Sequence, residues 1–272
     1  MFKRLDLTGA RILVTGASSG IGADLARALA AAQARLVLAA RSAAALDELA
    51  AELRAAGADV AAVPTDVTDP DQRRRLLAET LRAFGGLDIL VNNAGVGASG
   101  PFEDASEDRL RRVFEVNFFG AVELTRLALP HLARGRDPMI VNVSSVIGRR
   151  AVPGYVEYCA SKFALSGWTE ALRAELVLQG VHVLLVSPGL IDTPFRTHQV
   201  EDRLPAKWQG RRMSAARCAR LIIKAMRRRR TEVVITWSGK LLVWLNRWFP
   251  AFADWLMARY SRAIEREQAA KP

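Results

Sequence analysis

The hydrophobic pattern of the chain alternates between two kinds of segment. Short apolar, β-branched runs are typical of buried strands, and longer segments between them repeat their apolar residues at helical spacing. Strands that alternate with helices in this way favour an α/β fold, a doubly wound parallel sheet with helices on both faces. The predicted strands are 11–15, 36–40, 60–63, 87–91, 139–143, 181–186 and 231–236.

Small and polar residues follow several of these strands directly. They include a glycine-rich segment after the first strand, Asn92 after the fourth, Ser145 after the fifth and Pro188 after the sixth. Because the carboxyl ends of parallel strands lie along one edge of a sheet, we expect one crevice to collect these residues.

The segment after the first strand has the character of a dinucleotide loop. Small residues let the backbone approach a ligand closely, and the following helix offers free N–H groups to a pyrophosphate. The spacing differs from the common G-x-G-x-x-G, and a tight connection is the alternative. The predicted contacts are Gly16, Ser18, Ser19, Gly20, Ile21 and Gly22.

Arg41 follows the second strand, nineteen residues after Gly22. At this position an NAD-binding unit usually carries an acid that holds the ribose hydroxyl. A guanidinium suits a 2'-phosphate instead, so Arg41 favours NADP(H) over NAD(H). An exposed arginine at a strand end is the alternative interpretation.

Tyr158 and Lys162 are four residues apart in a helical pattern, so their side chains lie on one face of the helix. A phenol has an unperturbed pKa of about 10, and a fixed cation beside it can lower that pKa by roughly 1 to 3 units. The pair is a candidate acid–base group. A packed tyrosine beside a solvated lysine is the alternative.

Asn117 lies within a long helical pattern that runs from about residue 102 to Leu132. Apolar residues surround it, and a buried amide needs hydrogen-bond partners. We therefore expect Asn117 to have a specific structural or functional contact.

Taken together, these motifs resemble the classical short-chain dehydrogenase/reductase family, over about residues 8–195. The resemblance implies a Rossmann fold and a nicotinamide-dependent oxidoreductase. Ser18 and Ser19 depart from many NADP-preferring relatives, which carry a basic residue inside the glycine motif. The matching residues are Thr15, Gly16, Gly20, Gly22, the Asn-Asn-Ala-Gly at 92–95, Asn117, Ser145, Tyr158, Lys162, Pro188, Gly189 and Thr193.

The resemblance also implies roles. Tyr158 would be the general acid or base, Lys162 would lower its pKa and hold the nicotinamide ribose, and Ser145, rather than Ser144, would bind the substrate oxygen. Asn117 would position a water that relays protons to Lys162, and Asn92 would neighbour a ribose. Further cofactor contacts implied in this way are Asp66, Val67, Asn93, Ala94, Gly95, Pro188, Gly189 and Thr193.

Length and composition restrict the class of protein further. The 272 residues are half apolar and a quarter charged, as in an ordinary globular protein, and no apolar run approaches the roughly 20 residues that span a bilayer. No signal-peptide pattern is present at the start. Two cysteines and three scattered histidines predict neither a disulfide framework nor a metal site, so a cytoplasmic, metal-free protein is expected.

The net charge of +11 is local. Residues 203–230 contain eleven basic residues and no acidic one, and the aromatic residues of 237–262 alternate with cations on a helical pattern broken at Pro250. Three interpretations stay open for these segments. They form a subunit interface or a flap over the crevice, they bind an anionic membrane surface, or, least favoured, they bind nucleic acid, for which no reader motif is present.

The sequence thus predicts one domain, with a catalytic part at 1–236 and an aromatic-rich helical extension at 237–272. The predicted function is NADP(H)-dependent interconversion of a carbonyl and a secondary alcohol, on a hydrophobic substrate that is lipid-, steroid- or acyl-like, by a homodimer or homotetramer. The alternatives are NAD-linked alcohol oxidation, or a nucleotide-sensing or interaction protein without turnover.

Overall fold

A computed structural model describes residues 4–201, 203 and 212–269 of the chain. Its strands are β1 Arg11–Thr15, β2 Arg35–Ala40, β3 Val60–Pro64, β4 Ile89–Asn92, β5 Met139–Val143, β6 His182–Ser187, β7 Ile191–Asp192, β8 Met213–Ser214 and β9 Glu232–Val234. Within the described residues seven of these strands form one parallel sheet in the order β3-β2-β1-β4-β5-β6-β9, so the strand order reverses between β1 and β4. The other two strands, β7 and β8, pair with each other.

Helices connect the strands and cover both faces of the sheet. Short 3-10 turns at 146–148, 177–179 and 194–198 join some of them. The α-helices are α1 Gly20–Ala30, α2 Ala43–Ala55, α3 Pro70–Phe84, α4 Glu107–Phe114, α5 Gly120–Leu132, α6 Val156–Leu176, α7 Ala215–Arg227, α8 Trp237–Trp248 and α9 Pro250–Ala269.

Two apolar layers hold the helices on the sheet. Successive side chains of a strand point to opposite faces, so Ile12 of β1 packs in the layer of α1, α2 and α7, and Leu13 packs in the layer of α3, α5 and α6. Both side chains are fully buried. Removing either would cost about 2 to 5 kcal/mol of unfolding free energy. The doubly wound fold predicted from the sequence is confirmed.

Local sequence signals set the helix ends. Asp69 caps α3, because its carboxylate accepts hydrogen bonds from the backbone N–H groups of Asp71 at 2.8 Å and Gln72 at 3.1 Å. Pro70 begins the helix where no N–H is needed, and Gly85 ends it in the left-handed conformation, at φ 69°. This helix therefore carries its own start and stop in the sequence.

The long helical pattern predicted from about residue 102 to Leu132 is not one regular helix. A five-residue π-helical segment, Glu115–Phe119, separates α4 from α5. Asn117 lies in its middle. A π segment inserts one extra residue into a helix and re-aims the side chains around it, which is the local reason why Asn117 reaches its partners, described below.

The C-terminal pattern also differs in detail from the prediction. The last strand, β9, is shorter than 231–236, because Thr236 already caps α8 by accepting a hydrogen bond from the Gly239 N–H at 3.1 Å. Pro250 is the first residue of α9, which turns one predicted pattern into two helices. None of the helices in the described part of the chain is long and apolar enough to cross a membrane.

Candidate active site

A crevice of about 990 Å³ opens at the carboxyl edge of the sheet, where the strand order reverses. The structure brings the predicted residues together there, with the exception of Asn92 and Asn117. Those lining it are Gly16, Ser18, Ser19, Gly20, Ile21, Gly22, Arg41, Asp66, Val67, Asn93, Ala94, Gly95, Ser145, Tyr158, Lys162, Pro188, Gly189 and Thr193.

The glycine loop has the geometry of a phosphate cradle. Gly16 has φ 64°, and a Cβ on it would meet the Ala94 Cα at 2.8 Å. A Cβ on Gly22 would meet the Gly16 carbonyl oxygen at 2.1 Å, so both positions exclude a side chain. The hydroxyl of Ser19, the N-cap of α1, makes no capping hydrogen bond. The first N–H groups of α1 are therefore left for an anion, and these residues fit a dinucleotide pyrophosphate.

Asn93 braces this loop. Its amide Nδ2 donates to the carbonyl oxygens of Thr15 at 3.0 Å and Gly16 at 3.1 Å, and its backbone N–H donates to Thr15 Oγ1. Asn92, expected beside a ribose, is directed elsewhere. Its Nδ2 donates to Thr125 Oγ1 at 2.9 Å and to Asn142 Oδ1 at 2.8 Å, so that expectation is corrected: Asn92 joins β4 to its neighbours inside the protein.

Arg41 borders a second, smaller cavity of about 380 Å³ that continues the crevice past Asp66. Arg75 of α3 lines the same cavity, and its Nη2 donates to the Pro64 carbonyl oxygen at 2.7 Å. Two guanidinium groups therefore border the place where the adenosine ribose would end. Sequence reasoning missed Arg75, for which the only signal was the run of three arginines at 73–75 in α3.

Tyr158 and Ser145 face each other in the crevice. Tyr158 lies in the first turn of α6, and Ser145 lies just past β5, where its Oγ accepts from the Ile147 N–H at 3.3 Å. Burial raises the pKa of the Tyr158 phenol above its ordinary value, and its hydrogen bond with Ser145 opposes that rise. The lowering of this pKa by Lys162 stays a prediction.

Lys162 is fully buried one turn further along α6. Its Nζ donates to the Val143 carbonyl oxygen at 3.0 Å and lies 5.8 Å from the centroid of the Tyr158 ring. Burial lowers the pKa of Lys162 to about 8. Ser144, the rival of Ser145, donates from Oγ to the Lys162 carbonyl oxygen at 3.1 Å and lies 3.0 Å from Ser166 Oγ, so it braces α6.

The side chain of Asn117 is held by hydrogen bonds to Val96 and Ser161. Its Oδ1 accepts from the Val96 N–H at 2.8 Å, and its Nδ2 donates to the Val96 carbonyl at 2.9 Å and to Ser161 Oγ at 3.0 Å. The amide of a buried asparagine is thereby satisfied. Asn117 fixes the loop after β4 against α6 next to Lys162.

The far end of the crevice is mostly apolar. Phe195 packs its ring 5.6 Å from that of Tyr158. Residues of helices α8 and α9 line this end, which agrees with a flap over the crevice, one of the interpretations left open by the sequence. The sequence did not single out these residues as site residues: Val152, Tyr155, Phe195, Gln199, Leu242, Met257, Tyr260 and Ile264.

A phosphate-binding turn at the switch point of a parallel sheet, beside a serine, tyrosine and lysine, defines a nicotinamide-dependent oxidoreductase with a Rossmann fold. A sequence model described as short chain dehydrogenase matches residues 10–204. The chain therefore belongs to the short-chain dehydrogenase/reductase family. Small-molecule substrates and oligomeric assembly are general in this family.

Relatives agree with this placement. The chain is 36% identical over 229 residues to ketoacyl reductase HetN of Nostoc sp., covering 84% of this chain and 79% of that protein. A short-chain dehydrogenase/reductase from Burkholderia phymatum in complex with NAD superposes with a TM-score of 0.82 at 30% identity, over 89% of this chain and 94% of that one. A short-chain dehydrogenase from Burkholderia cenocepacia in complex with NADP gives 0.77 at 31% identity, over 87% and 100%.

Proposed function

We propose that the protein interconverts a carbonyl and a secondary alcohol with NADP(H), and that Tyr158 exchanges the proton. The observation that carries this proposal is the placement of Ser145 and Tyr158 at the inner wall of a crevice that begins at the dinucleotide loop. The bound nicotinamide would supply or accept the hydride. Ser145 would donate a hydrogen bond to the substrate oxygen, where charge develops, and Tyr158 would donate the proton in reduction.

Lys162 and Asn117 would support this proton transfer. A cationic Lys162 stabilises a phenolate at Tyr158, and its position beside Gly95 also suits a ribose hydroxyl. Asn117 would hold a water on the path to Lys162, as proposed from the resemblance. Both amide hydrogens of its side chain already have partners, so that water would have to be held by another atom of the residue.

The preference for NADP(H) rests on the two arginines. A 2'-phosphate placed between Arg41 and Arg75 would gain charge-assisted hydrogen bonds that the hydroxyl of NAD(H) cannot make. Titration of both cofactors by tryptophan quenching tests this. We expect tighter binding of NADPH, and a loss of roughly tenfold or more in Arg41→Ala for NADPH alone. Tighter binding of NADH, or no effect of the substitution, contradicts the preference and favours NAD-linked alcohol oxidation.

A hydrophobic, lipid-, steroid- or acyl-like substrate is proposed for the far end of the crevice, which Leu242, Met257, Ile264 and Phe195 line. The name of the Nostoc relative, a ketoacyl reductase, agrees with an acyl-like carbonyl. Oxidation of NADPH by acetophenone and by acetone tests the preference. We expect a clearly higher kcat/KM for acetophenone. Equal values contradict a hydrophobic substrate, and no turnover across a broad panel of ketones and alcohols favours a nucleotide-sensing protein instead.

We also propose assembly into a homodimer or homotetramer. The outer side of the α4–α6 region exposes Leu110, Phe119, Val156 and Phe163, next to an aromatic cluster of Phe118 with Trp168. Exposed apolar side chains grouped in this way mark protein interaction sites.

Residues 1–236 and 237–272 are proposed to form one domain, because α8 and α9 line the same crevice as the sheet.

Peripheral association with an anionic membrane, on the cytoplasmic side, is proposed for the outer face of α8 and α9. We call this the aromatic face: Trp237, Leu241, Trp244, Trp248, Phe249, Phe252 and Trp255, each about half exposed or more. Lys240, Arg247 and Arg259 alternate with these residues in sequence, and the one acid between 237 and 262, Asp254, pairs with Arg150 at 2.7 Å. Tryptophan with cations suits the headgroup region of anionic lipid.

The basic tract at 203–230 is a weaker part of this proposal. Lys207 and Arg211 lie outside the described residues. Among those described, Arg217, Arg220 and Lys224 lie on α7, whose apolar residues are buried against α1. Nucleic acid is not proposed as a partner. The cations alternate with tryptophans in sequence, and no base-reading motif accompanies them.

A further inference from the structure

Arg109 of α4 is buried, although its side chain is a full cation. Its side chain is 0% exposed, and that of its partner Glu157 is 2% exposed. Arg109 Nη2 donates to Glu157 Oε1 at 2.6 Å, and Nε donates to the same oxygen at 3.2 Å. Buried charges of this kind are retained only when they are paired.

The guanidinium also reaches a second acid on another part of the chain. Arg109 Nη1 donates to Glu201 Oε2 at 3.0 Å, and Nη2 contacts the Pro101 carbonyl oxygen at 3.4 Å. Glu201 is 27% exposed and also pairs with Arg203 at 3.3 Å. One arginine thus joins helix α4, the start of α6 and the segment around residue 201.

That segment is a wall of the substrate end of the crevice. Phe195 and Gln199 line the crevice. Backbone hydrogen bonds then join this segment to residues 97 and 99: the Val200 N–H donates to the Gly97 carbonyl at 2.8 Å, and the Ser99 N–H donates to the Glu201 carbonyl at 2.9 Å. We name residues 195–201 the crevice wall. Besides these backbone hydrogen bonds, the side chain of Arg109 connects the crevice wall to α6, the helix that carries Tyr158.

The other end of the contact is fixed. Glu157 precedes Tyr158 directly, and its Oε2 is buried with no hydrogen-bond partner in the described part of the structure. Arg109 is therefore the cation that neutralises the buried Glu157 carboxylate. If Arg109 moved away, that carboxylate would stay buried without a counter-ion. The Nη1 atom of Arg109 is consequently held in the position where it binds Glu201.

We propose that Arg109 is a positioning residue that holds the crevice wall closed over the substrate by binding Glu201, with Glu157 as its fixed anchor. The wall adds contacts to bound substrate without touching the reacting atoms. Its release should weaken ground-state and transition-state binding equally, which raises KM and leaves kcat unchanged.

Glu201→Gln is the sharpest variant, because it removes one charge at a part-exposed position and keeps the buried Arg109–Glu157 pair. We expect KM for acetophenone to rise about tenfold, as for the loss of one charge-assisted hydrogen bond, with kcat within about twofold. Arg109→Lys should give the same split, because a single ammonium cannot span both glutamates. Glu52→Gln is the matched control, since it removes a carboxylate that pairs with Arg27 at 2.7 Å on the distant α2.

A second measurement needs no substrate. Hydrogen–deuterium exchange should accelerate in Glu201→Gln in peptides that contain Ser99 and Val200, and should stay unchanged in Glu52→Gln. The kinetic measurement rests on the proposed oxidoreductase activity, and the exchange measurement does not. Unchanged exchange at Ser99 and Val200, or a fall in kcat without a rise in KM, overturns the role of Arg109. If the protein turns over no ketone or alcohol while exchange is accelerated in Glu201→Gln, the proposed function is overturned and the role of Arg109 is not.

Discussion

At the scale of single residues, the site combines two titratable groups whose pKa values are both shifted by burial. Burial raises the pKa of Tyr158 and lowers that of Lys162 to about 8. Ser145 favours the phenolate by its hydrogen bond. The phenol therefore keeps its proton until charge develops on a substrate oxygen, which is what a general acid requires.

Replacement of the phenol by a phenyl ring should separate binding from chemistry. Tyr158→Phe removes the proton but keeps the ring that packs on Phe195. We expect kcat to fall by at least about 10²-fold, with the affinity for NADPH unchanged within about twofold. Steady-state rates and tryptophan quenching measure the two quantities. A rate close to that of the unaltered protein would remove Tyr158 from the mechanism.

Lys162 should leave a signature in the pH dependence of stability. Its pKa is lowered from 10.5 to about 8 in the folded protein, so the unfolded chain binds more protons between these values and the free energy of unfolding rises with pH there. Below about pH 8 the buried cation is a cost. Relative to Lys162→Met, the protein should gain on the order of 2 to 3 kcal/mol from pH 7 to pH 10.

Urea denaturation of both proteins across that pH range measures this difference. Burial raises the pKa of the Cys218 thiol, which lies on α7, and the opposite effect of this group above pH 8 cancels in the comparison. Parallel curves for the two proteins would show that Lys162 is not a buried cation near neutral pH.

At the scale of elements, two interruptions of a regular helix shape the site: the π-helical segment between α4 and α5, and the break at Pro250 between α8 and α9. The π segment brings Asn117 to Val96 and Ser161. Pro250 ends one helix and begins the next, so that α8 and α9 present inner residues such as Leu242 and Ile264 to the crevice and the aromatic face to the outside. The flap and the proposed membrane-binding surface are therefore two faces of one element.

The aromatic face should carry membrane binding. Flotation with phosphatidylserine vesicles is expected to recover the unaltered protein with the lipid, and less of it at high salt. Trp244→Ser together with Trp248→Ser should reduce the partition coefficient by roughly tenfold or more, because two large apolar side chains are lost. Leu178→Ser is the control, since this residue is 94% exposed and lies elsewhere, after α6. Equal recovery of all three proteins contradicts the membrane proposal.

At the scale of the whole molecule, the exposed apolar residues on the two sides of the fold suggest two different neighbours. Those on α4, the π-helical segment and α6 border the helix that carries Tyr158 or belong to it. A second copy of the chain suits that side, since a twofold interface matches a surface to itself.

Light scattering after size exclusion should test this assignment. The unaltered protein is expected to elute as a dimer or tetramer. Phe119→Asp with Phe163→Asp places like charges in the interface and should yield a monomer with an unchanged circular dichroism spectrum. The vesicle-binding variant Trp244→Ser with Trp248→Ser is the control and should keep its oligomeric state. A monomeric unaltered protein would contradict the proposed assembly.

The sequence alone determined the sheet, the family and many of the residues that line the crevice around the dinucleotide loop. These depend on local signals: apolar runs of strand length, glycines where a Cβ cannot fit, and a tyrosine and lysine one helical turn apart. Asn117 was singled out as well, because a polar residue in an apolar helical pattern needs a partner, although the pattern could not show which one.

Only the tertiary structure decided which contacts form between segments distant in the chain. Arg75 meets the cavity beside Arg41, Asn92 leaves the crevice for Thr125 and Asn142, and Arg109 meets Glu157 and Glu201, which are 48 and 92 residues away. Charged and amide side chains carry no periodic signal for such pairings. Their partners are set by how the helices pack on the sheet, and that packing is a property of the whole fold.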